Sequence, residues 1–245
     1  MAVRRLAPPE VQPNTFAFTA NNLAWAKQQM AKYPDGRQQS AVILLLWRAQ
    51  EQCGGWLPRK AMEHVAELLD MANIRVLEIA TFYTMFNLEP VGQFHVQLCG
   101  TTPCMLRGSE QLKEVCRRRI GEQHHITADG KFSWIEVECL AACVNAPMVQ
   151  INADYYEDLT PESFERILNE LASGRTPKSG PQIGRQFSAP LGPQTTLTDP
   201  ELHKGANGAS AGAALTDEDA KKPGAPANVH EAAVPKPPAT DSSRQ

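Results

Sequence analysis

The chain has 245 residues, of which 42% are hydrophobic and 21% are charged, and its formal net charge is -3. This length and apolar content support one large or two small folded domains. A slightly acidic chain lacks the excess of Lys and Arg that neutralises phosphates, which argues against a nucleic-acid partner. The longest apolar run, residues 41–47, is much shorter than the roughly 20 residues of a membrane-spanning helix, so we expect no direct membrane insertion.

The first thirteen residues, MAVRRLAPPEVQP, contain two arginines but no apolar run after them. This pattern does not match a secretory signal. Without export the thiols lie in a reducing compartment, where paired cysteines bind metals or carry out redox chemistry more often than they form structural disulfides.

Residues 19 to 86 have helical periodicity throughout, which predicts a small helical bundle as a first domain, residues 1–90. Side chains that cap helices and residues that stop them divide the region into four helices. The expected helices are one capped by Thr19, one from about Gln38 to Gln52, one beginning at Pro58, and one capped by Asn73 that runs through Phe86.

From residue 88 the period changes to alternation, which predicts a second domain, residues 91–175, with a mixed sheet and helices packed on it. The expected order is β-α-β-β-α. Its elements are strands at 94–99, 132–138 and 147–152, a helix capped by Ser109, and a helix from Thr160 to Leu171. Together the two regions predict an α+β protein.

The tail, residues 176–245, contains ten of the nineteen prolines, and Phe187 is its only aromatic residue. Such a segment cannot bury enough apolar surface to offset the entropy of ordering it. We expect an extended tail that is disordered over 201–245.

Four of the six cysteines form two closely spaced pairs, and each pair follows a predicted strand. Cys99 ends the strand at 94–99 and Cys104 lies in the loop after it, while Cys139 and Cys143 follow the strand at 132–138. If the two strands are neighbours, the loops converge and present four thiolates to one point.

Several chemistries compete for this point. A [2Fe–2S] cluster takes four thiolates, and a structural Cys₄ zinc site also uses closely spaced cysteine pairs. A thioredoxin-like dithiol needs C-x-x-C, which is absent, and disulfides suit the compartment poorly. Spacing alone leaves iron–sulfur and zinc open. Of the two other cysteines, Cys116 is expected to be a buried thiol within a helix.

No Gly-rich phosphate loop follows a predicted strand, so no nucleotide site is expected on this chain.

Five segments closely resemble the small [2Fe–2S] subunit of respiratory NADH:quinone oxidoreductase, complex I, which is the E subunit in bacteria and the 24 kDa-type subunit of the mitochondrial flavoprotein fragment. They are LCGTTPCMLRGSE, CLAACVNAPMVQIN, YYEDLT, ATFYTMFN and RQQSAVILLLWRAQEQ. The resemblance implies a thioredoxin-like second domain in which Cys99, Cys104, Cys139 and Cys143 ligate one [2Fe–2S] cluster.

The resemblance also implies an electron-transfer subunit of an oxidoreductase, with no catalytic residues of its own. FMN and NADH would bind to a partner subunit, and a large iron–sulfur subunit would lie nearby. The expected location is peripheral, on the cytoplasmic side of the bacterial inner membrane or the matrix side in mitochondria. The segments GPQIGRQFSAP and TTL, within 180–197, also look like the family, and we expect residues 180–200 to be docked on the partner.

Two alternatives stay open beside this function. One is the equivalent diaphorase subunit of an NAD-dependent formate dehydrogenase or NAD-reducing hydrogenase, and the other is a structural zinc module. The chain also departs from the family at Ala141, where glycine is usual, and an alanine restricts the turn if that position needs a positive φ.

Overall fold

The computed structural model describes residues 4–190, 192, 196 and 198–199. The predicted disorder of 201–245 lies outside these residues. The described part of the chain forms helices first and then a sheet with its own helices. The helices are α1 (Ala20–Met30), α2 (Val42–Gln52), α3 (Arg59–Leu68), α4 (Asn73–Phe82), α5 (Thr102–Leu106), α6 (Ser109–Arg119) and α7 (Pro161–Ala172). The strands are β1 (Phe94–Cys99), β2 (Phe132–Val137), β3 (Val149–Ile151), β4 (Asp154–Glu157) and β5 (Gly180–Pro181).

The first four helices confirm the predicted helical region, with small shifts at their ends. The Thr19 side chain caps α1 by accepting a hydrogen bond from the Asn22 N–H. A 3₁₀ turn over Gln38–Ala41 precedes α2, and Pro58 is the N-cap of α3 rather than its first residue.

Helix α4 ends at Phe82, earlier than the predicted end at Phe86, because Tyr83 is extended. The buried side chain of Gln50 holds the following turn. Its Nε2 donates to the Met85 carbonyl at 3.1 Å, and its Oε1 accepts from the Asn87 N–H at 2.7 Å. These bonds satisfy the backbone groups that would otherwise continue the helix.

The residues before and after position 90 build two separate hydrophobic cores. The first is built by the N-terminal helices, with Leu45, Leu46 and Val65 fully buried. None of the described helices has the length and apolar character that crossing a bilayer requires.

The sheet has five strands in the order β2-β1-β3-β4-β5. Strands β1 and β2 are parallel neighbours, and β3 pairs antiparallel with both β1 and β4. The strands that precede the two cysteine loops are therefore neighbours, as the predicted convergence of these loops requires. Strands β4 and β5 were not predicted, because they are short and their burial does not alternate cleanly.

The second core lies between the sheet and the helices α6 and α7. Val96 and Leu98 of β1 are fully buried there, as are Phe164 and Ile167 of α7. Thr160 caps α7 in a reciprocal capping box with Ser163, which confirms the predicted start of this helix.

Two details between β1 and α6 differ from the sequence prediction. The expected loop contains the short helix α5, which Thr102 and Pro103 start because Pro is favoured in a first helical turn. The N-cap of α6 is Gly108, with a φ of 108°, and Ser109 lies inside the helix as a buried residue.

Candidate metal centre

The parallel pairing of β1 and β2 places both cysteine loops at one edge of the sheet. Cys99 is the last residue of β1 and lies opposite Val137, the last residue of β2. Cys139 follows two residues later. The chain therefore leaves both strands on the same side, and the two loops begin next to each other.

Cys99 and Cys104 form a buried pair, which we call the inner pair. Each has a relative exposure of 1%, and Ala146 and Met148 complete the small apolar cluster around them. The Cys99 Sγ lies 3.3 Å from the Thr101 hydroxyl oxygen. The inner pair is thus held by packing and by a polar contact to sulfur.

Cys139 and Cys143 form an exposed pair, which we call the outer pair. Their Sγ atoms are 3.4 Å apart, and the Ala141 N–H donates to the Cys139 Sγ at 3.4 Å. The Tyr155 hydroxyl donates to the Leu140 carbonyl at 3.0 Å. The turn that carries the outer pair is therefore tied to β4.

In each pair the pKa of one thiol is raised above its ordinary value. Burial acts to raise the pKa of Cys99, but hydrogen bonds from Thr101 and the Leu140 backbone outweigh it and leave this pKa below its ordinary value. Burial, aided by the interaction with Cys99, raises the pKa of Cys104 to about 12. The contact with Cys139 raises the pKa of Cys143. Because metals bind thiolates, loading this site releases protons.

The two pairs also interact with each other. Cys143 acts electrostatically on Cys104, and Cys99 acts on Cys143. Among the described residues, no group of three or more His, Cys, Asp or Glu side chains is arranged so that it could hold a metal ion. A [2Fe–2S] cluster takes two thiolates at each iron, and the inner and outer pairs supply such a donor set. Hydrogen bonds to Cys99 and Cys139 are of the kind that stabilise thiolate sulfur.

Ala141 adopts a φ of 64°, in the left-handed region. The turn between Cys139 and Cys143 thus requires the conformation that glycine adopts without strain, which answers the question the sequence raised at this position. An alanine in this region costs roughly 1 kcal/mol relative to glycine.

We therefore expect Ala141→Gly to stabilise the protein. Relief of the strained φ favours the folded state by more than the extra flexibility of glycine favours the unfolded chain. The expected gain in the free energy of unfolding is up to about 1 kcal/mol. Urea denaturation monitored by circular dichroism measures it. Ala142→Gly is the matched control, since Ala142 has a φ of -103° and glycine there brings no relief of strain. Equal losses of stability in both variants would contradict the assignment of strain to Ala141.

The two remaining cysteines belong to the hydrophobic cores rather than to the thiol pairs. Cys116 is fully buried in α6, as predicted, where it packs into the second core, and burial raises its pKa to about 12. Cys53 is half-buried at the end of α2 and packs against the first core. Neither thiol is a candidate ligand.

Sequence reasoning missed three residues that support the outer pair. These are Tyr155, Asn145 and Arg185. Tyr155 could have been found if β4 had been predicted, because this strand carries its side chain. Asn145 and Arg185 are 40 residues apart in sequence, and no local pattern connects them.

Comparison with known proteins defines the class of this site. Residues 26–172 match the model of the thioredoxin-like [2Fe–2S] ferredoxin family. The chain belongs to this family, and the match confirms the predicted thioredoxin-like domain and the [2Fe–2S] cofactor.

Within the family, the chain is similar to the E subunits of NADH-quinone oxidoreductases. It is 57% identical over 205 residues to the first of these, the E 1 subunit from Rhizobium meliloti, covering 82% of this chain and 74% of the relative. It is 54% identical over 157 residues to the E subunit from Rickettsia bellii, covering 64% of this chain and 94% of the relative. These relatives confirm the resemblance seen in the sequence.

A solved thioredoxin-like [2Fe–2S] ferredoxin from Aquifex aeolicus is 22% identical. It aligns with 34% of this chain and 89% of its own length, at a TM-score of 0.29.

Proposed function

We propose that the chain is the electron-transfer subunit of an NADH-quinone oxidoreductase and that Cys99, Cys104, Cys139 and Cys143 hold its one [2Fe–2S] cluster. The observation that carries this proposal is that two loops, each with a pair of free thiols, begin side by side at the ends of two parallel strands. When bound, such a cluster takes up and releases single electrons. The chain contributes the ligands, the hydrogen bonds to sulfur, and the partial burial that tune this exchange.

The two pairs have different tasks in this proposal. The inner pair anchors the site in an apolar environment, while the outer pair brings it to the surface. Two large apolar side chains flank the ligands and are exposed, Leu106 by 76% and Val144 by 61%. Such exposed apolar groups beside a site are a feature of protein interfaces. We propose that the partner subunit that carries FMN and NADH docks here.

The remaining features of the proposed assembly rest on the resemblance to the complex I subunit. We propose that a large iron–sulfur subunit is a second neighbour and that the chain is peripheral, on the cytoplasmic side of a bacterial inner membrane. We also propose a domain division near residue 90, with a helical bundle domain at 1–90 and the cluster-holding domain at 91–175. The two separate cores support this division.

Metal analysis of the purified full chain tests the proposal. We expect about two irons and about two acid-labile sulfides per chain, with an electron paramagnetic resonance signal that appears on reduction with dithionite. Stoichiometric zinc without iron or sulfide would instead establish the structural zinc module. Co-purification with a flavin-bearing subunit tests the partner, and a hydrogenase or formate dehydrogenase subunit in its place would establish the related assembly.

A further inference from the structure

The segment 180–187 lies on the chain's own sheet, next to the outer pair. Its first residues form β5, which pairs in parallel with β4. The Gln182 N–H donates to the Glu157 carbonyl at 3.0 Å. The docking of 180–200 on a partner stays a prediction, and any such docking has to accommodate these contacts within the chain.

Arg185 is the central contact of this segment, and its side chain is only 9% exposed. Its Nη2 lies 2.6 Å from the Asp158 Oδ1, a carboxylate on a side chain that is 4% exposed. Its Nη1 donates to the Asn145 Oδ1 at 2.9 Å and lies 3.4 Å from the Val144 carbonyl oxygen. One guanidinium thus joins the end of β4 to the residues that directly follow Cys143.

Asn145 makes the turn part of the same network. Cys143 and Asn145 are the ends of one 3₁₀ turn. The Asn145 side-chain amide donates to the Phe187 carbonyl at 3.1 Å. The backbone carbonyl of Asn145 accepts from the Asp158 N–H at 2.7 Å. The Asn145 amide also donates to the Glu157 carboxylate. The turn is therefore bonded both to the end of β4 and to the 180–187 segment, and Arg185 contacts the turn and Asp158 directly.

We propose that Arg185 is a positioning residue for the outer thiol pair. By fixing the turn at Cys143–Asn145, it holds the Cys143 thiol in place to ligate the cluster. This inference rests on the proposed function for its cluster readouts, but the anchoring of the turn is a property of the chain alone.

Arginine suits this role because its two terminal nitrogens contact a carboxylate oxygen, an amide oxygen and a carbonyl oxygen at once. A lysine carries the charge but cannot span the three acceptors in fixed geometry. The buried Asp158 keeps a full charge pair only with Arg185 in place, so loss of Arg185 alone leaves an uncompensated charge. A second substitution is needed to separate positioning from folding.

The test compares three variants of the full chain. Arg185→Met combined with Asp158→Asn removes both buried charges, and Asn tolerates the φ of 53° at this position. Arg185→Lys retains the charge without the fork. Arg166→Gln is the matched control, because Arg166 also contacts the 180–187 segment, through Gln182 at 3.2 Å, but does not touch the turn.

The first readout is hydrogen exchange of the Asn145 and Ala146 amides, whose bonds to Ala142 and Cys143 define the turn. In the double variant we expect exchange about tenfold faster, since two lost hydrogen bonds correspond to roughly that factor. The Lys variant should also exchange faster, and Arg166→Gln should match the wild type. Unchanged exchange in the double variant would overturn the anchoring role.

The second readout is the cluster itself. We expect the double variant to show altered g values in electron paramagnetic resonance. It should also release iron to a chelator at least about tenfold faster, which is the size of effect that follows removal of groups that orient metal ligands. If Lys restores the wild-type values, Arg185 acts through charge and the positioning role fails. If the wild-type chain holds no iron, the proposed function fails, while the exchange measurement still decides whether Arg185 fixes the turn.

Discussion

Replacing Cys139 by alanine is expected to abolish the [2Fe–2S] spectrum while leaving the fold intact. Cys139 is exposed, so its side chain contributes little to the core. The substitution removes one of four ligands and leaves Cys143 without its partner at 3.4 Å. A cluster that lacks one of its four thiolate ligands is expected to be lost. Iron and sulfide per chain should fall close to zero, with the melting temperature of the apo-protein unchanged.

Cys116→Ala is the control, and it should behave in the opposite way. This thiol of α6 is fully buried in the second core, so its removal leaves a small cavity that costs about 1 kcal/mol of the free energy of unfolding. The cluster spectrum should not change. A chain that needs Cys116 for its cluster but not Cys139 would contradict the ligand assignment.

The second large effect is expected at Gly92, just before β1. A Cβ atom on this residue would lie 2.4 Å from the Phe132 carbonyl carbon and 2.6 Å from the Ser133 nitrogen. Both atoms belong to the backbone of β2, which is fixed by its pairing with β1. The clash cannot be relieved by rotating a side chain, so Gly92→Ala should lower the free energy of unfolding by about 3 kcal/mol.

Urea denaturation measures this change as a shift of the midpoint at constant slope. Gly184→Ala is the control, because a Cβ there meets no atom within 4 Å. We expect its stability to stay within about 0.5 kcal/mol of that of the wild type. Equal midpoints for Gly92→Ala and the wild type would show that the two strands do not approach each other this closely in solution.

Gly92 also shows why this approach matters. Its N–H donates to the Ser133 hydroxyl at 2.8 Å, and the same oxygen lies 2.8 Å from the His95 Nδ1. Burial lowers the pKa of His95 to about 4, and the charge of His124 adds to this effect. The histidine is therefore neutral at physiological pH. The hydrogen bonds at this close strand contact thus join uncharged groups.

Local patterns predicted those elements that are determined by their own residues. Strand β1 and helix α7 were predicted within one residue of their observed ends, because alternation and the Thr160 capping signal lie within the segments themselves. The end of α4 was placed too late, because the contacts of Gln50 with the next turn come from another helix.

The candidate site shows the same division. The four thiols could be selected from spacing and strand ends, and the structure confirms that β1 and β2, the strands before the two cysteine loops, are neighbours. The choice between iron–sulfur and zinc required the family resemblance, since both use four thiolates. The support from Arg185 could not be found from sequence, because it depends on a short strand that few residues specify.

The different exposure of the inner and outer pairs determines the order in which solutes reach the four thiols before a cluster is bound. Oxidants and alkylating reagents meet Cys139 and Cys143 first, since Cys99 and Cys104 lie beneath the surface. The Sγ atoms of this outer pair are 3.4 Å apart, so we expect a mild oxidant to accept two electrons from them, with the release of two protons, and leave a disulfide. A chain with this disulfide has no free thiolate in its outer pair. We therefore expect cluster assembly to require the reduced chain.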